Sequence, residues 1–208
     1  GGTVGLGLGN QWGMYLRELV MDAFEEITGG RVYHMHILPG GVRGLAPKGF
    51  KERFLEALKK MDEFVKNITN LVFNNAVFKT RTKRIAVIPK DWIDKYGIVG
   101  PNARAAGVMR DIRKEYPYLI YDQIDFEPYT ATESDIYSRA WVRLEDLKTT
   151  IDIIRQILDK MPEKGEFKAA TPNVLHWKVP KGETYVPSES SRGEYGMYMV
   201  SDGSKYPR

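Results

Sequence analysis

Apolar residues recur every three to four positions over three stretches of this chain, the period of an amphipathic helix. In residues 11–28 they are Leu16, Leu19, Val20, Phe24 and Ile27, with Arg17, Glu18, Asp22, Glu25 and Glu26 on the other face and Gly29-Gly30 as a stop. Residues 47–78 carry the longest stripe, from Phe50, Phe54 and Leu58 through Met61, Val65 and Ile68 to Val72. About 25 residues of helix there would reach close to 40 Å. Residues 132–161 repeat the pattern at Tyr137, Trp141, Leu144, Leu147, Ile151, Ile154 and Leu158, and Pro162 ends it. Thr132 or Ser134 is the cap candidate, with Asp135 in the first turn.

Between and after these stretches the period shortens. Residues 31–38 read as a short strand before the turn Pro39-Gly40-Gly41, and residues 122–129 alternate like an edge strand. A short helix is expected over residues 89–96. From Lys164 onward strands and turns dominate, and Asp202-Gly203 is a hairpin signal with only five residues after it. The predicted fold is therefore α+β and mainly helical: a long antiparallel helix bundle with short strands and a C-terminal β-hairpin lobe. Residues 1–162 would form the bundle core and residues 163–208 a β-rich lobe that is cut within an element.

Composition narrows the chemistry. The 208 residues contain no cysteine, so no disulfide, thiolate zinc site, iron–sulfur ligation or Cys-bound nickel comes from within the chain. No apolar run reaches the roughly 18 residues of a membrane span. A net charge of +4 without a dense basic stripe argues against nucleic acid, and docking to a more acidic partner fits as well. The basic cluster Lys79, Arg81, Lys83 and Arg84 reads as a solvated or partner-facing connector. The glycine-rich start lacks a preceding strand, the G-x-G-x-x-G spacing and a P-loop Lys-Ser/Thr pair, so it is a tight turn rather than a nucleotide loop.

Three groups of residues carry candidate chemistry. His34 and His36 form an H-x-H pair which, on a strand, would share a face. A metal site would need further ligands, and a histidine that tunes a neighbouring redox group is the other reading. Residues 96–121 set Ala103, Ala105, Ala106 and Gly107 among Arg104, Arg110 and Arg113, with Asp111 placed to pair with an arginine. Composition alone reads this as an Ala-rich turn with solvated arginines. Asp135, Arg139 and Arg143 follow at i, i+4 and i+8, either an exposed ladder or a helix face turned into a site.

Four ordered motifs then resemble one family. T-G-G-R-V-Y-H-M-H-I-L-P-G-G-V-R (residues 28–43) is similar to T-G-A-R-x-H-x-x-x-x-R-P-G-G-V, and residues 100–121 are similar to G-(P/S)-x-x-R-A-S-G-x-x-x-D-x-R-K-x-x-P-Y-x-x-Y. T-E-S-D-I-Y-S-R-A-W-V-R-L-E-D resembles T-x-G-D-x-Y-x-R-x-x-V-R-x-x-E, and E-S-S-R-G-E-Y-G-M-Y-M-V-S-D-G-S resembles E-x-P-R-G-E-x-G-x-Y-x-V-S-D-G-S. The chain is thereby identified as a central-to-C-terminal part of the D-type large subunit of complex I (NADH–quinone oxidoreductase), or of the large subunit of a membrane-bound, energy-converting nickel–iron hydrogenase.

The resemblance implies a peripheral subunit on the cytoplasmic side of a membrane, in an NADH- or ferredoxin-linked oxidoreductase. Its partners would be a small iron–sulfur subunit, other peripheral-arm subunits and membrane subunits. The chain would bind no cofactor alone; the cluster lies in the partner, and a quinone or nickel–iron centre belongs to the full-length protein. Arg104, Asp111, Arg113, Asp135, Arg139 and Arg143 would line the acceptor site, with Tyr33 and His34 near the partner's cluster. The isolated chain would be inactive. Three departures stand out: Tyr33 occupies the family's histidine position, Gly7 the aspartate of its G-T-x-x-L-D-x-G turn, and the stretch between Met161 and Tyr185 is short, as in compact archaeal members. A degenerate, non-catalytic docking or scaffold subunit is the alternative these departures suggest.

Overall fold

The computed structural model describes residues 7–171 and 178–204. Three long helices dominate: α1 (Gly7–Thr28), α2 (Phe50–Ile68) and α7 (Ile136–Lys160). Between them come two short strands, β1 (Ile37–Leu38) and β2 (Gly41–Val42), and then the short helices α3 (Ala76–Thr82), α4 (Asp91–Lys95), α5 (Pro101–Ala105) and α6 (Ile112–Glu115). The hairpin β3 (Gly182–Ser190) and β4 (Gly193–Ser201) follows. The fold is α+β and mainly helical.

The stripes on the long helices meet in one core. Leu58, Met61 and Val65 of α2 pack with Leu144, Ile151 and Leu158 of α7, and Leu16, Leu19 and Ile27 of α1 close the layer. Each fully buried large side chain contributes roughly 1.5–3 kcal/mol, so this cluster is the main source of stability. The helices run antiparallel. Glu26 near the end of α1 meets Arg53 near the start of α2, while Tyr15 meets Lys60 further along. Lys51 meets Asp159, and Arg155 meets Asp62, in the same antiparallel sense for α2 and α7.

The expected single helix over 47–78 is interrupted. After Ile68 one π-helical turn (Thr69–Phe73) widens the backbone, and Asn75 restarts the chain as the N-cap of α3, accepting from Val77 and Phe78 N–H. The interruption lets Phe73 turn into the core, edge-on to Phe78, Tyr137 and Trp141. Part of the basic connector is therefore helix α3.

Residues 31–36 are not a strand; only Ile37 and Leu38 are, paired with Gly41 and Val42. The Met35 N–H donates to the Tyr33 carbonyl and the His36 N–H to that of His34, which coils the segment and removes the alternation that would have aligned both histidines. The edge strand expected over 122–129 is also absent. A 3₁₀ turn (Tyr121–Gln123) leads into an unpaired stretch whose Ile124 and Phe126 are buried against Ile153. Gln156 holds Asp125 by its backbone instead of a neighbouring strand.

Helix α1 begins at Gly7, ahead of the expected start, so Gly7 and Gly9 lie in helix rather than in a turn; residues 1–6 lie outside the described residues. The C-terminal hairpin turns at Ser191-Arg192, with Ser190 opposite Gly193, and Asp202-Gly203 follows β4. Nine consecutive cross-strand pairs set that register, and the expected return strand lies at the edge of or beyond the described residues. The hairpin docks on α5 through two glycines. Gly100 (φ +66°) and Gly193 (φ +127°) approach so closely that a Cβ on Gly193 would lie 2.7 Å from the Gly100 nitrogen.

Candidate functional site

Gly100 and Pro101 start α5 and place Ala103, Ala105 and Ala106 in the interior. With no side-chain bulk between them, α5 lies directly against α7, and the Arg104 guanidinium enters the contact. Arg104 is 4% exposed. Its two terminal nitrogens fork onto the Asp146 carboxylate of α7 at 2.5 and 2.9 Å, and one also donates to the Tyr129 carbonyl at 3.2 Å. The stretch that composition reads as solvated is thus largely interior.

A second pair sits beside it. Asp111 caps α6 by accepting the Arg113 N–H, and the same carboxylate takes Arg113 Nε and a terminal nitrogen at 2.9 and 2.8 Å. Phe126 lies under that guanidinium at 4.9 Å. Burial alone would raise the Asp111 carboxyl, but the hydrogen bonds and charge of Arg113 outweigh it and hold it below the usual carboxylate range. Arg113 is stabilised as a cation in turn, against the effect of its burial.

The hairpin closes the space over these pairs. Residues 99–113, α7 and the hairpin turn enclose a cleft of about 330 Å³ lined by Arg104, Asp111, Arg113, Arg143, Asp146 and Glu189, among others. Arg143 reaches it from α7. Among the described residues its guanidinium bonds to the Arg139 carbonyl and to the Asn102 side chain, both neutral groups. Partial burial, reinforced by the neighbouring Arg139, Arg104 and Arg192 and opposed by Asp146, lowers its proton affinity. Glu189 approaches Arg113 at 3.4 Å, and its backbone N–H donates to the Tyr118 hydroxyl. Burial raises the Glu189 carboxyl; Arg113 opposes this, and Asp111 and Asp146 reinforce it. Burial and then the charge of Glu189 push Tyr121 up to about 12.

Four of the six predicted lining residues meet in this cleft: Arg104, Asp111, Arg113 and Arg143. Asp135 and Arg139 do not line it. Asp135 is itself the N-cap of α7, the position expected for Thr132 or Ser134, and accepts the Ser138 and Arg84 N–H groups at 2.7 and 2.8 Å. Arg139 donates to the carbonyls of Ala86 and Ser134. The i, i+4 spacing therefore forms no Asp135–Arg139 ladder, because backbone groups of the packed 84–88 segment take both side chains. Tyr33 and His34 lie in a separate loop. Tyr33 is 83% exposed, while the half-buried His34 stacks on Phe24 at 4.2 Å with its Nδ1 3.0 Å from the Gly30 carbonyl. Sequence reasoning missed Asp146 and Glu189. Each stands in a quoted motif, yet only the fold shows which arginine it meets.

Residues 4–177 and 165–208 match the family described as respiratory-chain NADH dehydrogenase, 49 Kd subunit. The chain belongs to this family. It is 42% identical to the D-type subunit of the NADH-quinone oxidoreductase of Thermosipho melanesiensis, covering 100% of this chain and 57% of that protein. It is 39% identical to the D-type subunit of the F(420)H(2) dehydrogenase of Methanosarcina mazei, covering 92% and 52% respectively. A solved structure of the membrane-bound sulfane sulfur reductase, an archaeal respiratory membrane complex, superposes with a TM-score of 0.88 at 37% identity over 95% of this chain and 54% of that one. The chain thus spans about half the length of these 49 Kd-type relatives. Those relatives are by name subunits or members of oxidoreductase complexes, one of them membrane-bound. Among the described residues no helix is long and apolar enough to cross a membrane.

Proposed function

We propose that this chain is part of the subunit that shapes the electron-acceptor site of a membrane-bound oxidoreductase, and that the cleft between α5, α6, α7 and the hairpin is a wall of that site. The observation that carries the reading is the pairing inside the cleft. Arg104 and Arg113 are each forked onto or bonded to a carboxylate, whereas the hydrogen bonds of Arg143 among the described residues go to neutral groups, with the Asp146 charge nearby. Preorganised cations of this kind stabilise charge that develops on a bound molecule without reorganising at the moment of reaction. The volume suits a headgroup-sized ligand. The acceptor is a quinone, a sulfur compound or protons, and the donor chain is NADH- or ferredoxin-linked.

The chain has no thiolate, so a terminal iron–sulfur cluster would be held by a small partner subunit. The loop bearing Tyr33 and His34 suits that contact. Val32, Tyr33, Met35 and Ile37 are 69–83% exposed, an apolar surface next to a half-buried imidazole. Further partners are peripheral-arm and membrane subunits, with this chain on the cytoplasmic side. A phenol at Tyr33 can donate a hydrogen bond, and it stands where the related motif has a histidine. That departure favours the second reading, a docking or scaffold subunit without an acceptor.

The two readings separate in the assembled complex. Arg143→Gln removes the cleft-facing charge without opening a buried pair, and Arg104→Ala removes the fixed one. Loss of acceptor reduction in both, with the complex still assembled, is the expected result. Unchanged turnover together with an unchanged cluster potential would overturn the acceptor-site reading.

A further inference from the structure

The carboxylates around the cleft are not equivalent. Asp111 accepts three hydrogen bonds from Arg113, Asp146 takes the Arg104 fork, and Glu194 accepts the Tyr185 hydroxyl at 2.7 Å. Among the described residues Glu189 has one ion contact, at 3.4 Å, to the remaining terminal nitrogen of the guanidinium that Asp111 holds by its other two nitrogens. Its side chain keeps 31% of its surface, so water reaches it. The groups that face it are Arg113 and Asp111 from α6 and its cap, Asp146 from α7, Arg104 from α5, Tyr118 from the stretch after α6, and Tyr121 from the 3₁₀ turn. Of the three carboxylates Asp111, Asp146 and Glu189, only Glu189 has no guanidinium hydrogen-bonded to it among the described residues, and Arg143 lines the same cleft as a further cation.

We infer that Glu189 is the residue through which the cleft takes up a proton from water when negative charge enters it; the inference rests on the acceptor-site reading above. An electron delivered to the bound acceptor makes that molecule more negative, and the Glu189 carboxylate compensates by binding one proton from solvent. No electron moves at Glu189; one O–H bond forms there and is broken when the proton passes on. The upward displacement of its proton affinity by burial works in the same direction. Glu189 is a proton-exchanging residue, distinct from the fixed arginines that hold charge.

The test uses the assembled complex containing the full-length subunit. Infrared difference spectra are recorded on reduction with dithionite for wild type, Glu189→Gln and Glu189→Asp, alongside the pH profile of turnover. Wild type is expected to gain a protonated-carboxyl band that Glu189→Gln lacks and Glu189→Asp restores at a shifted position. Turnover in Glu189→Gln should fall by about a hundredfold, the scale of a lost proton-transfer group. The decline of wild-type turnover as pH rises through the Glu189 range should also flatten in that variant. A band that persists in Glu189→Gln overturns the inference and leaves the acceptor reading intact. A band lost as expected, with turnover unchanged in both Glu189→Gln and Arg143→Gln, overturns the acceptor reading and keeps Glu189 as the proton site.

Discussion

Ser134 carries the clearest local conflict in the molecule. It adopts φ +53°, in the left-handed region, and its hydroxyl is buried with no hydrogen-bond partner among the described residues. The related motif has glycine at this position. The backbone is held there by its neighbours, since the Ser134 N–H donates to the Ala105 carbonyl and the Ser134 carbonyl accepts from the Ile88 N–H and Arg139. Arg84 and Ala86, on the segment packed against it, also have positive φ. Backbone strain of this kind costs on the order of 1–3 kcal/mol per residue, and a buried unpaired hydroxyl adds to it. Glycine would relieve both while adding freedom to the unfolded chain. Ser134→Gly is expected to stabilise the protein by about 1 kcal/mol, read as a higher denaturant midpoint in urea unfolding. An unchanged or lowered midpoint would show that the side chain contributes what the geometry does not reveal.

At the level of elements, the hairpin is the piece whose attachment the site depends on. It supplies Glu189 and Glu194 to the cleft, and it reaches α5 through the contact of Gly193 with Gly100. A Cβ on Gly193 would meet the Gly100 nitrogen and the Val99 side chain at 2.7 Å, at a φ that other residues rarely adopt. Gly193→Ala should therefore push the hairpin off α5 while leaving the α1–α2–α7 core folded. Hydrogen exchange would report it as lost protection in β3, β4 and α5 with protection kept in α2 and α7. Uniform loss of protection, or none, would contradict the hinge-like independence of the two contacts. The π-helical turn acts near the start of α7, redirecting the chain so that Phe73 fills the space beside Tyr137 and Trp141.

For the molecule as a whole, the buried ion pairs set the response to acid. Asp111 titrates below its usual range when folded, so its contribution is present above the unfolded value near 4 and is lost as pH falls through the folded one. Glu189 acts with the opposite sign: its raised carboxyl makes ionisation costly to the fold, and lowering pH relieves that cost. Asp111 is almost fully buried with two bonds from one guanidinium, so its effect dominates at low pH. Wild type should lose stability as pH drops below about 4. Asp111→Asn, which leaves Arg113 without its counter-charge, should be less stable at pH 7 by about 3–5 kcal/mol and show a flatter acid dependence. Urea melts from pH 3 to pH 7 would check both, and parallel curves for the two proteins would refute the assignment.

The sequence by itself determined the three long helices, the mainly helical α+β class and the family. Periodic stripes and ordered motifs are local signals, and nothing in the tertiary structure competes with them strongly enough to erase them. The same local signals misled where long-range packing supplied the backbone partners. Residues 31–36 coil through backbone bonds to Tyr33 and His34 while His34 stacks on Phe24, and residues 122–129 find Gln156 in place of a neighbouring strand. Asp135 and Arg139 look like a charge ladder until the 84–88 segment offers them backbone groups. The cleft was legible only in part. Arg104, Asp111 and Arg113 stood out as charges near small residues and Arg143 as one end of a charged helix face, but Asp146 lies 42 positions from Arg104 and Glu189 comes from another element altogether. Which carboxylate meets which guanidinium, and which is left to exchange a proton, depends on distances of a few ångströms between segments far apart in the chain. Tertiary structure alone decides those distances.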